Sequence, residues 1–160
     1  MVRPDTQNQF PFQHHRLDIY DSFDFPAADE SGEISRLIVS QQYRRRRGDN
    51  MAGVAAEEIN LDPSNDRRLH SPQILLTLYR QMYAFSLKEG IRYWYAAMEP
   101  ALARSLSYMS FGFRQIGPPA DYYGMVAPYL ADLRELEARL GAKNPDLMDW
   151  LRTPALAVLH

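Results

Sequence analysis

A helix signal between two strand-like segments is the feature that most restricts the fold of this chain. Ser71 and Pro72 have the residue types of a helix N-cap and first helical position, and Gly90 has the residue type that ends a helix. The segments 33–40 and 91–97 on either side are rich in β-branched and aromatic residues, which predicts strands. A helix that connects two strands of one sheet is a crossover, so we expect these strands to be parallel.

The segments that follow repeat this alternation of helices and strands. Further elements are predicted as a helix from 100 to about 110, strands at 113–116 and 122–130, and amphipathic helices at 132–140 and 144–151. Three prolines within residues 1 to about 31 predict an irregular start. We therefore expect an α/β (α+β) fold divided into an extended loop region (1–32), a core (33–130) and C-terminal helices (131–160).

Composition excludes several classes of protein. The 160 residues are 46% hydrophobic and 24% charged with a net charge of −2, which argues against a disordered chain or a dedicated nucleic-acid binder. No run approaches about 18 apolar residues, and no apolar stretch follows Met1, so we expect neither a membrane span nor a secretory signal. Cysteine is absent, which excludes disulfides, thiolate zinc sites and cysteine nucleophiles. The expected location is the cytoplasm.

Polar residues in the first predicted strand are candidates for a functional site. Glu33 and Ser35 would share one face of a strand, with Arg36 on the other. Burying such groups costs free energy unless they are hydrogen-bonded, and functional sites often accept that cost. An ion pair at the edge of the strand would explain the same residues, and the pattern alone does not distinguish the two.

Four consecutive arginines follow this strand and precede Gly48. They are Arg44, Arg45, Arg46 and Arg47. Such a run binds phosphate, attracts an acidic protein, or is simply a solvated loop. Nucleic-acid binding is the weaker interpretation, because Arg67-Arg68 is the only other basic cluster. Neighbouring His14 and His15 would point in opposite directions and have no third ligand nearby, so we expect no metal site.

Residues 33–46, EISRLIVSQQYRRR, carry a resemblance to a known family. This stretch resembles the E-x-S-R strand of acyl-homoserine-lactone (autoinducer) synthases. It is still more similar to bacterial N-acyl amino acid synthases and to the acyltransferases associated with PEP-CTERM/exosortase systems. Softer similarity extends to residues 95–100, 112–118 and 122–128. Val2-Arg3-Pro4 is similar to the end of the strand that precedes a long loop in these proteins.

The resemblance implies the GNAT acyltransferase fold, with a mixed central sheet flanked by helices. Because the relatives have further elements ahead of the Val2-Arg3-Pro4 match, it also implies a sheet without its first strands. The implied activity is transfer of a long-chain acyl group from acyl carrier protein or CoA to the amine of an amino acid or similar acceptor, an EC 2.3.1-type reaction. These thioesters are co-substrates, and no permanently bound cofactor is implied. Asn50 replaces the second small residue of the usual Q/R-x-x-G-x-G/A loop, which favours a carrier-protein donor.

The resemblance also implies roles for individual residues. Glu33 and Arg36 match the catalytic motif. The residues expected to bind the acyl donor or its phosphopantetheine are Leu37, Ile38, Val39, Arg44, Arg45, Arg46, Arg47 and Gly48. The residues expected to line the acyl pocket are Tyr93, Tyr95, Met98 and Tyr123. Packing in the core is the competing interpretation of these aromatic residues.

Two other functions remain open at this point. One is a truncated, non-catalytic protein that binds an acidic acyl carrier protein without turnover. The other is an accessory domain that binds nucleic acid through the arginine run, although we expect no nucleic-acid partner. An incomplete sheet would expose a strand edge, which makes a homodimer possible.

Overall fold

A computed structural model describes residues 1–14, 17–35, 71–122 and 124–153, with residues 71–75 described by their backbone alone. A single 3₁₀ turn (Ala28–Glu30) precedes the first strand. The helices and strands, in chain order, are α1 (Pro11–His14), β1 (Ser31–Glu33), α2 (Ser71–Glu89), β2 (Tyr93–Met98), α3 (Pro100–Tyr108), β3 (Arg114–Gln115), β4 (Ala120–Asp121), β5 (Met125–Asp132), α4 (Leu133–Lys143) and α5 (Pro145–Arg152).

The strands form a mixed sheet in the order β1-β2-β5-β3, with β4 paired to β5. β1 and β2 are parallel, with Glu33 opposite Tyr95, and α2 is the crossover between them. This confirms the prediction of parallel strands. The other pairs are antiparallel. A single antiparallel bridge joins Val2 to Glu33, so the first residues lie along the outer edge of β1.

The two faces of the sheet are covered by different parts of the chain. Side chains alternate along β2, so Trp94, Ala96 and Met98 face the helices. Residues from α2, α3, α4 and α5 complete that cluster, among them Tyr79, Leu106, Leu136, Leu140 and Leu151. Tyr95 points to the opposite face, where Phe10, Phe12 and Leu17 of the N-terminal segment cover it.

The predicted and observed elements differ at three places. The first strand begins at Ser31 and ends at Glu33, so Ser35 lies beyond it and the alternation expected there does not apply; residues 36–40 lie outside the described residues. The strand predicted at 122–130 runs instead from Met125 to Asp132. A turn precedes it, in which the Tyr122 N–H donates to the carbonyl oxygen of Gly124 and Gly124 has φ 121°. α3 ends at Tyr108.

The N-terminal segment also differs from the irregular loop that its prolines predict. It contains the short helix α1 and buries Phe10, Phe12 and Leu17, each less than a tenth exposed. Most of this segment has irregular backbone, yet its apolar side chains are well packed. They are buried because they contact side chains of β2 and β5 as well as one another.

Candidate functional site

The carboxyl group of Glu33 is buried at the end of β1. Only 4% of the residue is exposed. Its Oε2 atom accepts a hydrogen bond from the Phe12 backbone N–H at 3.0 Å. Burial raises the pKa of Glu33, and the bond from Phe12 offsets part of that effect. A carboxylate with a raised pKa accepts a proton more readily than an exposed one, which is the property required of a general base.

The carboxyl group of Glu33 shares its face of the sheet with several aromatic rings. Tyr95 pairs with Glu33 across the sheet, and the rings of Phe10 and Phe12 each lie 5.0 Å from its ring. The Phe25 ring lies 6.3 Å from Tyr95 on the same face. Burial also raises the pKa of the Tyr95 phenol, which the Ser31 hydroxyl partly offsets through a hydrogen bond. The local environment is therefore apolar, which strengthens electrostatic interactions with Glu33.

Within the part of the chain that the structure describes, the parallel pairing ends beside Glu33 while β2 continues. The Ile34 N–H donates to the Tyr95 carbonyl at 2.8 Å, and among the described residues this is the last backbone bond between the two strands. β2 extends three residues further, to Met98. Because backbone groups alternate between the two sides of a strand, the N–H of Ala97 points toward the side of β1. A carbonyl oxygen placed at this edge would find a backbone donor.

The structure brings only some of the predicted site residues together. Glu33, Tyr93 and Tyr95 lie on one face of the sheet. Met98 lies on the opposite face, 7% exposed within the helix-side cluster that contains Trp94. The remaining predicted residues lie outside the described residues: Arg36, Leu37, Ile38, Val39, Arg44, Arg45, Arg46, Arg47, Gly48 and Tyr123.

Tyr93 borders a cleft of about 590 Å³ on the same face. The cleft is lined by residues from the N-terminal segment, the sheet, the connection from α3 to β3, and α4, namely Asp24, Phe25, Pro26, Tyr93, Ser107, Gly112, Phe113, Arg114, Leu130, Asp132, Glu135 and Arg139. The Arg92 guanidinium lies 4.7 Å from the centre of the Tyr93 ring. It also bonds to both oxygens of Asp132, at 3.2 and 2.7 Å.

Asp132 connects this cleft to the fold. Its carboxylate caps α4 by accepting a bond from the Arg134 N–H at 2.9 Å. Burial would raise the pKa of Asp132, but the hydrogen bonds from Arg92 and from the backbone outweigh it and hold the pKa below its usual range. Asp132 is therefore ionised at neutral pH and neutralised by Arg92.

Sequence reasoning did not identify the groups that surround Glu33 on the N-terminal side. The hydrogen-bond donor is the backbone of Phe12, 21 residues away, and a backbone group leaves no residue-specific signal. The available signal was the pair of aromatic residues at 10 and 12 within an otherwise polar stretch.

His14, considered above as a metal ligand, lies with Nε2 3.0 Å from Oδ2 of Asp5. Among the described residues, no group of three or more His, Asp or Glu side chains is arranged to hold a metal ion.

Comparison of the chain with models of known families, with curated proteins and with solved structures finds no match in any of the three. Among the described residues, no helix has the length and apolar character needed to cross a membrane.

Proposed function

We propose that this chain is an N-acyltransferase with a GNAT-like fold, which transfers a long-chain acyl group from a carrier-protein or CoA thioester to the amine of an amino acid or similar acceptor. The observation that carries the proposal is the buried carboxyl group of Glu33, at the point where the pairing of β1 and β2 ends among the described residues. The strand order supports it, because the resemblance implies two parallel strands joined by a crossover helix, and β1, α2 and β2 have that arrangement.

The reaction would proceed by direct attack of the amine on the thioester carbonyl. As the C–N bond forms, the carbonyl oxygen gains negative charge, and the Ala97 N–H at the edge of β2 would donate to it. Glu33 would accept the proton that the amine loses, directly or through one water molecule. The C–S bond then breaks, and the thiolate leaves and is protonated. No cysteine nucleophile is available for a covalent route.

The remaining parts of the proposal rest on residues matched by the resemblance. Arg36 would organise neighbouring carboxylates. The arginine run at 44–47 would attract an acidic acyl carrier protein, with affinity that falls as salt rises. Tyr93 would contact the acyl chain on the Glu33 face, whereas Tyr95 lies beneath Phe10 and Phe12 with 1% of its surface exposed and would support that surface from below. Met98 is not included, because it lies on the helix side of the sheet.

A thiol-release assay tests the proposal. Purified protein is given long-chain acyl carrier protein or acyl-CoA together with a panel of amino acids, and free thiol is measured over time. We expect release that depends on one class of acceptor. We expect Glu33→Gln to lower kcat/KM by about 10²- to 10⁴-fold, the usual contribution of a general base. The matched control is Glu30→Gln, an exposed glutamate three residues earlier.

The pH dependence of the same assay separates a general base from a structural residue. Because burial raises the pKa of Glu33, kcat/KM should fall as pH decreases through a value above the ordinary 4.5 of a glutamate. The Gln variant should lose that limb of the profile. Absence of thiol release with every donor and acceptor, while the carrier protein still binds, would refute the enzymatic function and favour a non-catalytic binding protein.

A further inference from the structure

The cleft beside Tyr93 has the volume of a small-molecule site. Its volume of about 590 Å³ lies within the roughly 300–1,000 Å³ typical of ligand pockets. Tyr93 and Leu130, which project from the same face of β2 and β5, form its floor. Phe113 adds a further apolar wall. An apolar or aromatic group therefore has a surface to pack against.

The guanidinium of Arg139 lies at the wall of this cleft. It lies directly against Gly112, where the Cβ of any other residue would overlap it. Its side chain is only 38% exposed, although it belongs to a surface helix. The nearest carboxylate among the described residues is Glu135, whose Oε2 lies 4.0 Å away and whose own side chain is 73% exposed. An exposed pair at that distance is weak, so the guanidinium keeps donors available for another partner.

The other charges of the cleft are paired or exposed to solvent. Asp132 is already neutralised by two bonds to Arg92. Arg114 adds a second guanidinium, whose centre lies 5.7 Å from the Phe23 ring. The remaining carboxylates, Asp24 and Glu135, are exposed to solvent, where charge is well screened. Among the described residues that line the cleft, Arg139 is the least exposed charged side chain without an ion pair shorter than 4.0 Å.

We propose that this cleft binds a small monocarboxylate with an aromatic or apolar body. Arg139 receives the carboxylate, because a planar guanidinium offers paired donors that match two carboxylate oxygens. Tyr93 and Phe113 pack against the body of the ligand. The site does not include Glu33, although it shares Tyr93 with the proposed acyl-binding surface, and binding there requires no acyl transfer.

Isothermal titration calorimetry of the full chain tests the proposal with four probes. Phenylacetate carries the carboxylate and the ring, phenethylamine replaces the carboxylate with an ammonium group, 2-phenylethanol is neutral, and inorganic phosphate has charge without a ring. We expect phenylacetate to bind about tenfold or more tightly than each of the others, since a hydrogen bond to a charged group contributes about 10- to 100-fold in affinity.

Two variants assign the binding to Arg139. Arg139→Gln removes the charge, and Gly112→Ala places a methyl group where the guanidinium lies. Gly112 does not have a positive φ, so alanine is compatible with its backbone. Each variant should weaken phenylacetate about tenfold or more. The matched control is Arg134→Gln, which removes the same charge from an exposed position of α4 outside the cleft and should leave affinity unchanged.

Circular dichroism and thermal unfolding of each variant establish that it is folded before titration. If Gly112→Ala fails to fold, Arg139→Gln decides the question alone. The proposal is overturned by the absence of phenylacetate binding at about 10 mM, by equal or tighter binding of any other probe, or by undiminished binding to Arg139→Gln. None of these outcomes changes the thiol-release assay, so the two proposals fail independently.

Discussion

The ring of Phe12 should be a major source of stability for the face that covers Glu33. Phe12 is 2% exposed and packs against Phe10 and Tyr95, with ring centres 6.3 and 5.0 Å away. Truncating a buried phenylalanine costs about 3–5 kcal/mol, because the transfer free energy is lost and a cavity remains. We expect Phe12→Ala to lower the free energy of unfolding by about 4 kcal/mol, a large part of the roughly 5–15 kcal/mol of a typical domain.

Phe25→Ala is the matched control on the same face. Phe25 is 49% exposed, and its ring lies 5.0 Å from Phe23 and 6.3 Å from Tyr95. Because about half of the Phe25 ring is already exposed, Phe25→Ala removes only about half of the transfer free energy and leaves no sealed cavity. We therefore expect the free energy of unfolding to fall by about 1 kcal/mol. The hydrogen bond to the Glu33 carboxylate is donated by the backbone N–H of Phe12, so neither substitution removes the donor, and the difference between the variants measures ring packing.

Urea unfolding followed by circular dichroism gives both free energies. The midpoint should fall much further for Phe12→Ala than for Phe25→Ala, with the dependence on urea unchanged. Equal losses in the two variants, or a loss below about 1.5 kcal/mol for Phe12→Ala, would refute the reasoning, because a ring sealed against Tyr95 loses more than a half-exposed one.

Three further predictions concern pH and backbone conformation. Because the pKa of Glu33 is raised in the folded state, its contribution to stability should decline as pH rises above about 4.5. Urea unfolding at a series of pH values should show that Glu33→Gln lacks this decline. The same dependence of the free energy of unfolding on pH in both proteins would contradict the prediction. Because the pKa of Asp132 is lowered, its contribution is present above about pH 3.8 and lost below it. Asp132→Asn should therefore be less stable than the parent at pH 7, and the difference should become smaller in acid. Asp132→Ala should lower the free energy of unfolding by about 1 kcal/mol more than Asp132→Asn does, because asparagine can still cap α4 and alanine cannot. Gly90 has φ +68°, so Gly90→Ala should lower the free energy of unfolding by about 1–2 kcal/mol, measured by thermal unfolding. Gly141 lies within α4, so Gly141→Ala should raise the free energy of unfolding by about 0.5–1 kcal/mol. Effects of the same sign in the two variants would contradict the conformational argument.

Local signals were sufficient to predict α2 and the parallel pair that it connects. Ser71 and Pro72 begin the helix, and Gly90 takes the left-handed conformation that follows it. Asn144 similarly caps α5, where its side chain accepts a bond from the Leu147 N–H. These signals act over a few residues, so they can be recognised in the sequence.

Interactions between distant segments could not be predicted in the same way. The residue with a positive φ after α3 is Ser110 (φ 67°), not a glycine. Gly112 instead gives room to Arg139 of α4, a partner that spacing does not reveal. For the candidate site, the sequence indicated Glu33 as a buried carboxyl candidate. It did not indicate Phe12 as its partner, or the assignment of Met98 to the other face, because both depend on which segment covers which side of the sheet.

The crossing of the N-terminal segment over the sheet has a consequence for the order of folding. Gly117 is in close contact with the Asp18 backbone, and the Tyr20 N–H bonds to the Ile116 carbonyl at 2.9 Å. Tyr20 and Gln115 also meet, although they are 95 residues apart in sequence. At a synthesis rate of about 5–20 residues per second, about 5–20 s pass between the synthesis of Phe10 and Phe12 and that of the strands that they cover. During that interval Phe10 and Phe12 have no strand to pack against, and the Glu33 face closes only after β5 has been synthesised.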